Sequence, residues 1–165
     1  IIRVYDDVSE DIEIILSKNQ CSFVSKDTYL TSRLIDGVFP DYKQIIPKSF
    51  KTEVIVLKND LLNTIKLSTI ISDKFNQITL SVNVAEKKCE ISSKNSEIGD
   101  QNTSVSAALT GESTTLTLNF KYMLDAFQSL TTDSVSLHFL DPQKAVVMSS
   151  VGDSSFTYLI MPMNK

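Results

Sequence analysis

The sequence predicts an α+β fold made mostly of antiparallel strand and built from a duplicated helix-plus-sheet unit. Three observations carry this. Val, Ile, Phe and Tyr recur at every second position in many short runs rich in Thr and Ser, as strands with one buried face do. Two longer segments break that period and take up helical spacing instead. The same order of pieces, a strand, a helix and three strands, occurs first from Glu53 to Leu109 and again from Thr115 to Met161. The duplication predicts two helices that pack apolar stripes on sheets and turn their polar sides the same way, with helices on one side and sheets on the other.

In chain order, strands are expected at Ile12–Leu16, Cys21–Ser25 and Thr28–Ser32. Together with a helix remnant over Ile1–Tyr5, they look like the second half of such a unit. The chain is therefore expected to open in the middle of a preceding domain. The strand Glu53–Leu57 starts the first complete unit. The segment 59-NDLLNTIKLSTIIS-72 follows as a helix: Asn59 or Asp60 caps it, Leu61, Leu62, Ile65, Thr69 and Ile70 share one side, and Asn63 and Lys66 the other. Strands are expected at Gln77–Val84, Cys89–Ser93 and Ser104–Leu109, with 94-KNSEIGDQN-102 as a loop. Thr115–Leu118 opens the second unit. In 119-NFKYMLDAFQSL-130, Asn119 caps a helix whose apolar stripe is Tyr122, Met123, Phe127 and Leu130 and whose polar side holds Lys121 and Gln128. The strands Ser134–Leu140, Ala145–Ser149 and Phe156–Met161 complete it. Short polar links such as 83-NVAEKK-88 and 140-LDPQK-144 predict hairpins.

With 165 residues, 42% of them hydrophobic, the chain can bury one good core and part of another. Neither a membrane-spanning run nor a secretory signal is readable, so the expected compartment is the cytoplasm. Sixteen Lys and Arg against 20 Asp and Glu give a formal charge of −4, which argues against overall attraction to nucleic acid and leaves room only for a local basic face. Cys21 and Cys89 sit singly in alternating runs and read as reduced thiols.

Catalysis finds little support. His138, the one histidine, lies inside a strand, with no Ser or Cys nucleophile placed by a known motif. The stretch 151-VGDSSF-156 reads as a hairpin turn, and phosphate-loop, dinucleotide and metalloprotease motifs are missing. The carboxylate pairs Asp6–Asp7 and Glu10–Asp11 read as a solvated helix end. No catalytic residue, metal or cofactor is expected. One stretch does ask for an explanation: 37-GVFPDYKQIIP-47 has the Gly, Pro and Asp of a surface turn, yet it carries Phe39, Tyr42, Ile45 and Ile46.

The segment 31-TSRLIDGVFPDYKQIIP-47 closely resembles the junction between the second and third domains of the bacterial DNA polymerase sliding clamps, the β subunits of DNA polymerase III. The stretch 158-YLIMPM-163 resembles the end of the same proteins, and 61-LLNTIKLSTIIS-72 and 119-NFKYMLDAF-127 fall where their third domain has its helices. The resemblance implies a DNA-clamp fold, with 1–38 as the C-terminal half of a middle domain, 39–50 as an interdomain loop and 51–165 as the C-terminal domain. It implies a homodimeric ring around duplex DNA. Such a ring is not an enzyme; it tethers polymerase subunits, the clamp loader and repair proteins, and nucleotidyl transfer belongs to the polymerase. The resemblance also implies a peptide-binding pocket walled by Pro40, Gln44 and Ile45 of the loop, Asn119 and Tyr122 of the second helix, and Leu159, Ile160, Met161, Pro162 and Met163 of the tail. Ile70 and Ile71 would meet the partner subunit, and Lys66 and Lys121 would face DNA. At Gln44 such proteins often have a basic residue, and at Leu67 an arginine. The reading from another class is a β-rich interaction adaptor that does not encircle DNA.

Overall fold

The computed structural model describes residues 4, 5 and 11–163. The expected helix remnant and both carboxylate pairs reach into residues outside that description. The chain divides into two compact units, Ile1–Pro40 and Asp41–Lys165.

The first unit holds a three-stranded antiparallel meander, β1 (Glu13–Leu16), β2 (Gln20–Val24) and β3 (Tyr29–Arg33). Its turns are closed by Ser17 N–H to the Gln20 carbonyl and Ser25 N–H to the Thr28 carbonyl, both at 2.9 Å. The buried Tyr5 donates its hydroxyl to the Phe23 carbonyl at 2.8 Å.

The second unit contains β4 (Thr52–Leu57), α1 (Lys58–Ile71), β5 (Gln77–Asn83), β6 (Lys88–Asn95), β7 (Gly99–Val105), β8 (Ala107–Gly111), β9 (Thr114–Asn119), α2 (Phe120–Ala126), β10 (Ser134–Phe139), β11 (Val146–Ser150) and β12 (Asp153–Ile160). The strands form a five-stranded sheet, β12-β11-β10-β4-β8, and a four-stranded sheet, β7-β6-β5-β9. The expected duplication is visible, and its halves exchange first strands: β4 joins the sheet of the second half beside β10, and β9 joins the sheet of the first half beside β5. The exchange is symmetric to the residue. Leu57 pairs with Ser134 and Asn119 with Gln77, and the first amide of each helix donates across to the residue before the other half's sheet, Lys58 to Asp133 at 2.8 Å and Phe120 to Asn76 at 3.0 Å.

Period-two burial produces one core. Ile78, Leu80 and Val82 of β5, Cys89 and Ile91 of β6, Leu116 and Leu118 of β9, and Val135, Leu137 and Phe139 of β10 all point into it. The helices touch each other; α1 packs on β4, β6 and β7, and α2 on β9 and β12.

Five expectations are corrected. The segment 94–102 is largely strand: β6 runs to Asn95 and β7 starts at Gly99, while the expected strand Ser104–Leu109 is two strands that part at Ser106, where the chain passes from one sheet to the other. The buried face of α1 is Leu61, Thr64, Ile65 and Ser68, so Ile70 lies off it, and the residue before the helix is Leu57, which makes no side-chain cap. In α2 the buried residues are Phe120, Met123 and Ala126; the helix stops at Ala126, and Tyr122, expected in the stripe, is exposed.

Candidate functional site

The N-terminus of α2 is built by β9. Its last residue, Asn119, leaves the sheet with φ −83° and ψ 117°, and its side-chain oxygen accepts the Lys121 amide at 2.9 Å. With Phe120 and Met123 turned inward, Tyr122 is left 55% exposed on the outer side of the first turn. Next to it stands β12. α2 packs on it, and burial, then the Asp125 carboxylate and then Tyr122 raise the Tyr158 hydroxyl above its usual pKa. Phe156 stacks on Tyr158 with ring centroids 6.2 Å apart.

The tail crosses beside this helix start. Leu159 is half-buried opposite Val147, and Ile160 is fully buried opposite Val146. The chain then leaves β12: Met161 is 57% exposed, Pro162 and Met163 are half-buried, and the Met163 amide donates to the Thr117 carbonyl at 2.8 Å. That bond fastens the tail to β9 two residues before Asn119. Asn119, Tyr122 and Leu159–Met163 therefore lie on β9, α2 and the β12 tail, elements that adjoin one another. Thr117 had no signal in the sequence, because it acts through its backbone.

The loop residues behave differently. Asp41 caps a 3-10 turn, Tyr42–Gln44, by accepting the Lys43 amide at 3.1 Å, and the Gln44 side-chain amide donates back to Asp41 at 3.2 Å. Among the described residues the loop's hydrogen bonds are internal to it. Tyr42 and Ile45 are each about half exposed, and Ile46 and Pro47 are more covered. Pro40 closes the first compact unit and is exposed.

At the far end of α1, Ile70 is 69% exposed and Ile71 half-buried, and the Lys74 ammonium lies 5.3 Å from the centre of the exposed Phe75 ring. Lys66 and Lys121 are exposed on their helices, where Asp60 and Asp125 are exposed too. The exposed sides of the helices are thus close to charge-balanced.

His138 is a strand residue with partners of its own. Its Nε2 is 3.2 Å from Glu53 on the adjacent β4, and its ring centroid is 4.9 Å from that of Phe50. Among the described residues, no group of three or more His, Cys, Asp or Glu is placed to hold a metal ion, and no helix is long and apolar enough to cross a membrane. Cys21 and Cys89 are free thiols.

Residues 43–164 match the family described as DNA polymerase III beta subunit, C-terminal domain. The beta sliding clamp of Synechococcus elongatus is 29% identical over 155 residues, 93% of this chain and 41% of that protein. The beta sliding clamp of Staphylococcus aureus is 26% identical over 162 residues, 98% of this chain and 43% of that protein. Among solved structures, the DNA polymerase sliding clamp of Bacillus subtilis superposes with a TM-score of 0.85 at 30% identity, covering 99% of this chain and 43% of that one. The Thermotoga maritima beta subunit shares the fold at a TM-score of 0.83 and 24% identity, over 98% of this chain and 44% of that one. The chain thus spans about two fifths of the length of these relatives.

Proposed function

The chain belongs to the DNA polymerase III beta-subunit family, and from that premise we propose that it is the tethering and docking portion of a replication processivity clamp. In this reading the full-length protein closes as a homodimeric ring around duplex DNA in the cytoplasm. It holds polymerase subunits, the clamp loader and repair proteins by short linear peptides and catalyses nothing. Tethering turns each rebinding of a polymerase into a local event at high effective concentration.

The observation that carries the docking role is the grouping of an exposed Tyr122, the cap residue Asn119 and the Met161–Met163 tail at the start of α2. An exposed aromatic ring beside flexible methionines gives an adaptable apolar surface for a peptide's Leu or Phe. The Asn119 side chain and the Tyr122 hydroxyl add polar atoms to fix its register. Pro40, Gln44 and Ile45 are assigned to the same pocket's rim, on the strength of the resemblance and of the exposed apolar loop. Ile70 and Ile71 are assigned to the subunit seam, since Ile70 leaves its side chain in solvent at a helix end. Residues 1–38 are assigned to the end of a middle domain, 39–50 to the link and 51–165 to the C-terminal domain.

Lys66 and Lys121 are assigned to the DNA-facing side. With Asp60 and Asp125 exposed on the same two helices, they supply little net attraction, so retention on DNA has to come from topology. The test is to load the full-length protein on nicked circular DNA and then linearise it. A clamp stays on the circle and is lost from the linear form; equal retention on both forms would favour an adaptor that does not encircle DNA. Binding of a labelled Gln-Leu-x-Leu-Phe peptide, measured by fluorescence polarisation, tests the pocket separately.

A further inference from the structure

The chain has four glycines, at 37, 99, 111 and 152, and Gly37 alone follows an Asp or Asn. Asp36 and Gly37 form a bend in the exposed stretch that leads from β3 to the cap residue Asp41. The last backbone hydrogen bond before the bend is Leu34 N–H to the Asn19 carbonyl at 2.8 Å, and the next after it is Gln44 N–H to the Asp41 carbonyl at 3.1 Å. Among the described residues, the Asp36 carboxylate meets no donor and the Gly37 amide no acceptor. A Cβ at Gly37 would have nothing within 4 Å of it, and the flanking Ile35 and Val38 are 93% and 97% exposed.

Three other Asp or Asn residues precede a small residue, serine, and the fold restrains each of them. Asn95 accepts the Glu97 and Ile98 amides on Oδ1 at 2.9 and 3.3 Å and donates from Nδ2 to the Ser72 carbonyl at 3.3 Å. Asp133 accepts the Lys58 amide on its carbonyl, and Ser134 after it is paired with Leu57 in the sheet. Asp153 accepts the Ser155 amide on Oδ1 and the Thr131 hydroxyl on Oδ2, each at 2.8 Å. Bonds from Ser155 and then Thr131 also hold its carboxyl below the usual carboxylate range, in the charged form that a nucleophile attacks least readily. A side chain or backbone fixed in these ways cannot fold back onto the amide that follows it. Asp36 is under no such restraint.

We infer that Asp36–Gly37 is a site of covalent self-modification, at which aspartate isomerises to isoaspartate in the folded chain. The Gly37 backbone nitrogen attacks the Asp36 carboxyl carbon. A C–N bond forms, the C–OH bond breaks, and the hydroxyl leaves with the amide proton as water, closing a five-membered succinimide. Water then opens the ring. Attack at the former side-chain carbonyl restores aspartate; attack at the main-chain carbonyl breaks its bond to the ring nitrogen, and the backbone then runs through the Asp36 side chain. Atoms balance without any oxidant, reductant or cofactor, and the mass is unchanged. Glycine favours closure because it has no Cβ to crowd the ring and the widest choice of backbone angles, and the loop leaves Asp36 the rotation that a ladder would withhold. The product lengthens the main chain by one carbon between β3 and Pro40, where the first compact unit ends. None of this rests on the clamp reading.

The test is to age the chain at neutral pH, below its unfolding temperature and in parallel in denaturant, and to follow its tryptic peptides. Cleavage after Arg33 and Lys43 releases Leu34–Lys43. In the folded sample this peptide is expected to split with time into two species of equal mass, with electron-transfer fragmentation placing isoaspartate at residue 36. The peptides that carry Asn95, Asp133 and Asp153 should stay single until the chain is unfolded. Asp36→Glu, whose longer side chain would have to close a six-membered ring, should abolish the splitting. Asp36→Asn should reach the same two products faster, releasing ammonia in place of water. Because the loop makes no contact that these exchanges remove, both variants should fold. An unsplit peptide in the folded sample, splitting confined to the denatured one, splitting that persists in Asp36→Glu, or equal splitting at Asp153 overturns the site.

Discussion

Leu57 and Asn119 hold the same place in the two halves of the duplicated unit, each pairing with the residue that opens the other half's sheet and each preceding a helix, yet only Asn119 caps. Their backbones are close, with φ and ψ of −65° and 130° at Leu57 against −83° and 117° at Asn119. A side chain that works as a cap at one site should therefore work at the other. Asn119→Ala is expected to cost about 1 kcal/mol in chemical denaturation, and Leu57→Asn to return a few tenths to about 1 kcal/mol by capping α1. A destabilised Leu57→Asn would mean that the half-exposed Leu57 side chain contributes more by packing than a cap can.

Gly111 is the one glycine whose missing side chain the fold requires for space. It ends β8 at φ +100°, and a Cβ there would run into the Lys51 carbonyl. That carbonyl accepts the Glu112 amide at 3.1 Å, while the Glu112 carbonyl accepts the Thr52 hydroxyl at 2.6 Å. Neither can retreat without opening the crossing from β8 to β9. Gly111→Ala should cost more than about 2 kcal/mol, whereas Gly99→Ala, which has no close neighbour but a similar φ, should cost less.

Cys89 gives a pH dependence with a definite sign. Burial, and to a smaller extent the Glu90 carboxylate, push its thiol from 9.0 up to about 11. The folded state thus favours the protonated form more than the unfolded chain does. This contribution to stability is complete below pH 9.0 and is lost as the pH rises toward about 11. Denaturation midpoints measured across that window should fall more steeply for the natural chain than for Cys89→Ala. Thiol reagents should label Cys89 only after unfolding.

Most strands were legible because their inward positions are apolar, as in β5, where Ile78, Leu80 and Val82 alternate with polar residues. β7 was not, for a physical reason. Its inward positions run Gln101, Thr103 and Val105, and opposite Gln101 lies the buried Ser93. The layer beneath the end of α1 is polar, and Ser93 Oγ and Gln101 Oε1 are left without partners in it. A strand of this kind looks like a loop to any test of hydrophobic period. At the helices, spacing gave the helix but not its face: Tyr122 and Ile70 are apolar by composition and lie at helical intervals, yet each is one position off the buried side. The tail was legible as a motif, but its anchor is a backbone carbonyl, about which side-chain identities say nothing.

Ile65 and Ile70 separate packing from association. Ile65 is fully buried under α1, and Ile65→Ala is expected to cost about 2–5 kcal/mol. Ile70 is 69% exposed, so Ile70→Ala should change stability by less than about 0.5 kcal/mol. If Ile70 meets a partner subunit, the same substitution in the full-length protein should raise the dimer dissociation constant in analytical ultracentrifugation. An unchanged constant would remove Ile70 from the seam.

Met161 and Met163 flank Pro162 and are expected to fail in different ways when altered. Met161 is exposed and, among the described residues, makes no hydrogen bond, so Met161→Ala removes apolar surface alone. Peptide affinity should fall by about tenfold, the loss of one well-buried side chain's contact, with stability unchanged. Met163 is held by its amide on Thr117, so Met163→Pro deletes the donor and frees the tail from β9. The bond itself is worth about 1 kcal/mol. Its loss should show less in denaturation than in peptide binding, because a freed tail must be ordered again each time a peptide docks. Met163→Ala keeps the amide and should retain the tail's position, losing only side-chain contact. If Met163→Pro and Met163→Ala bind the peptide equally, the clip to Thr117 has no part in docking, and the tail works through its side chains alone.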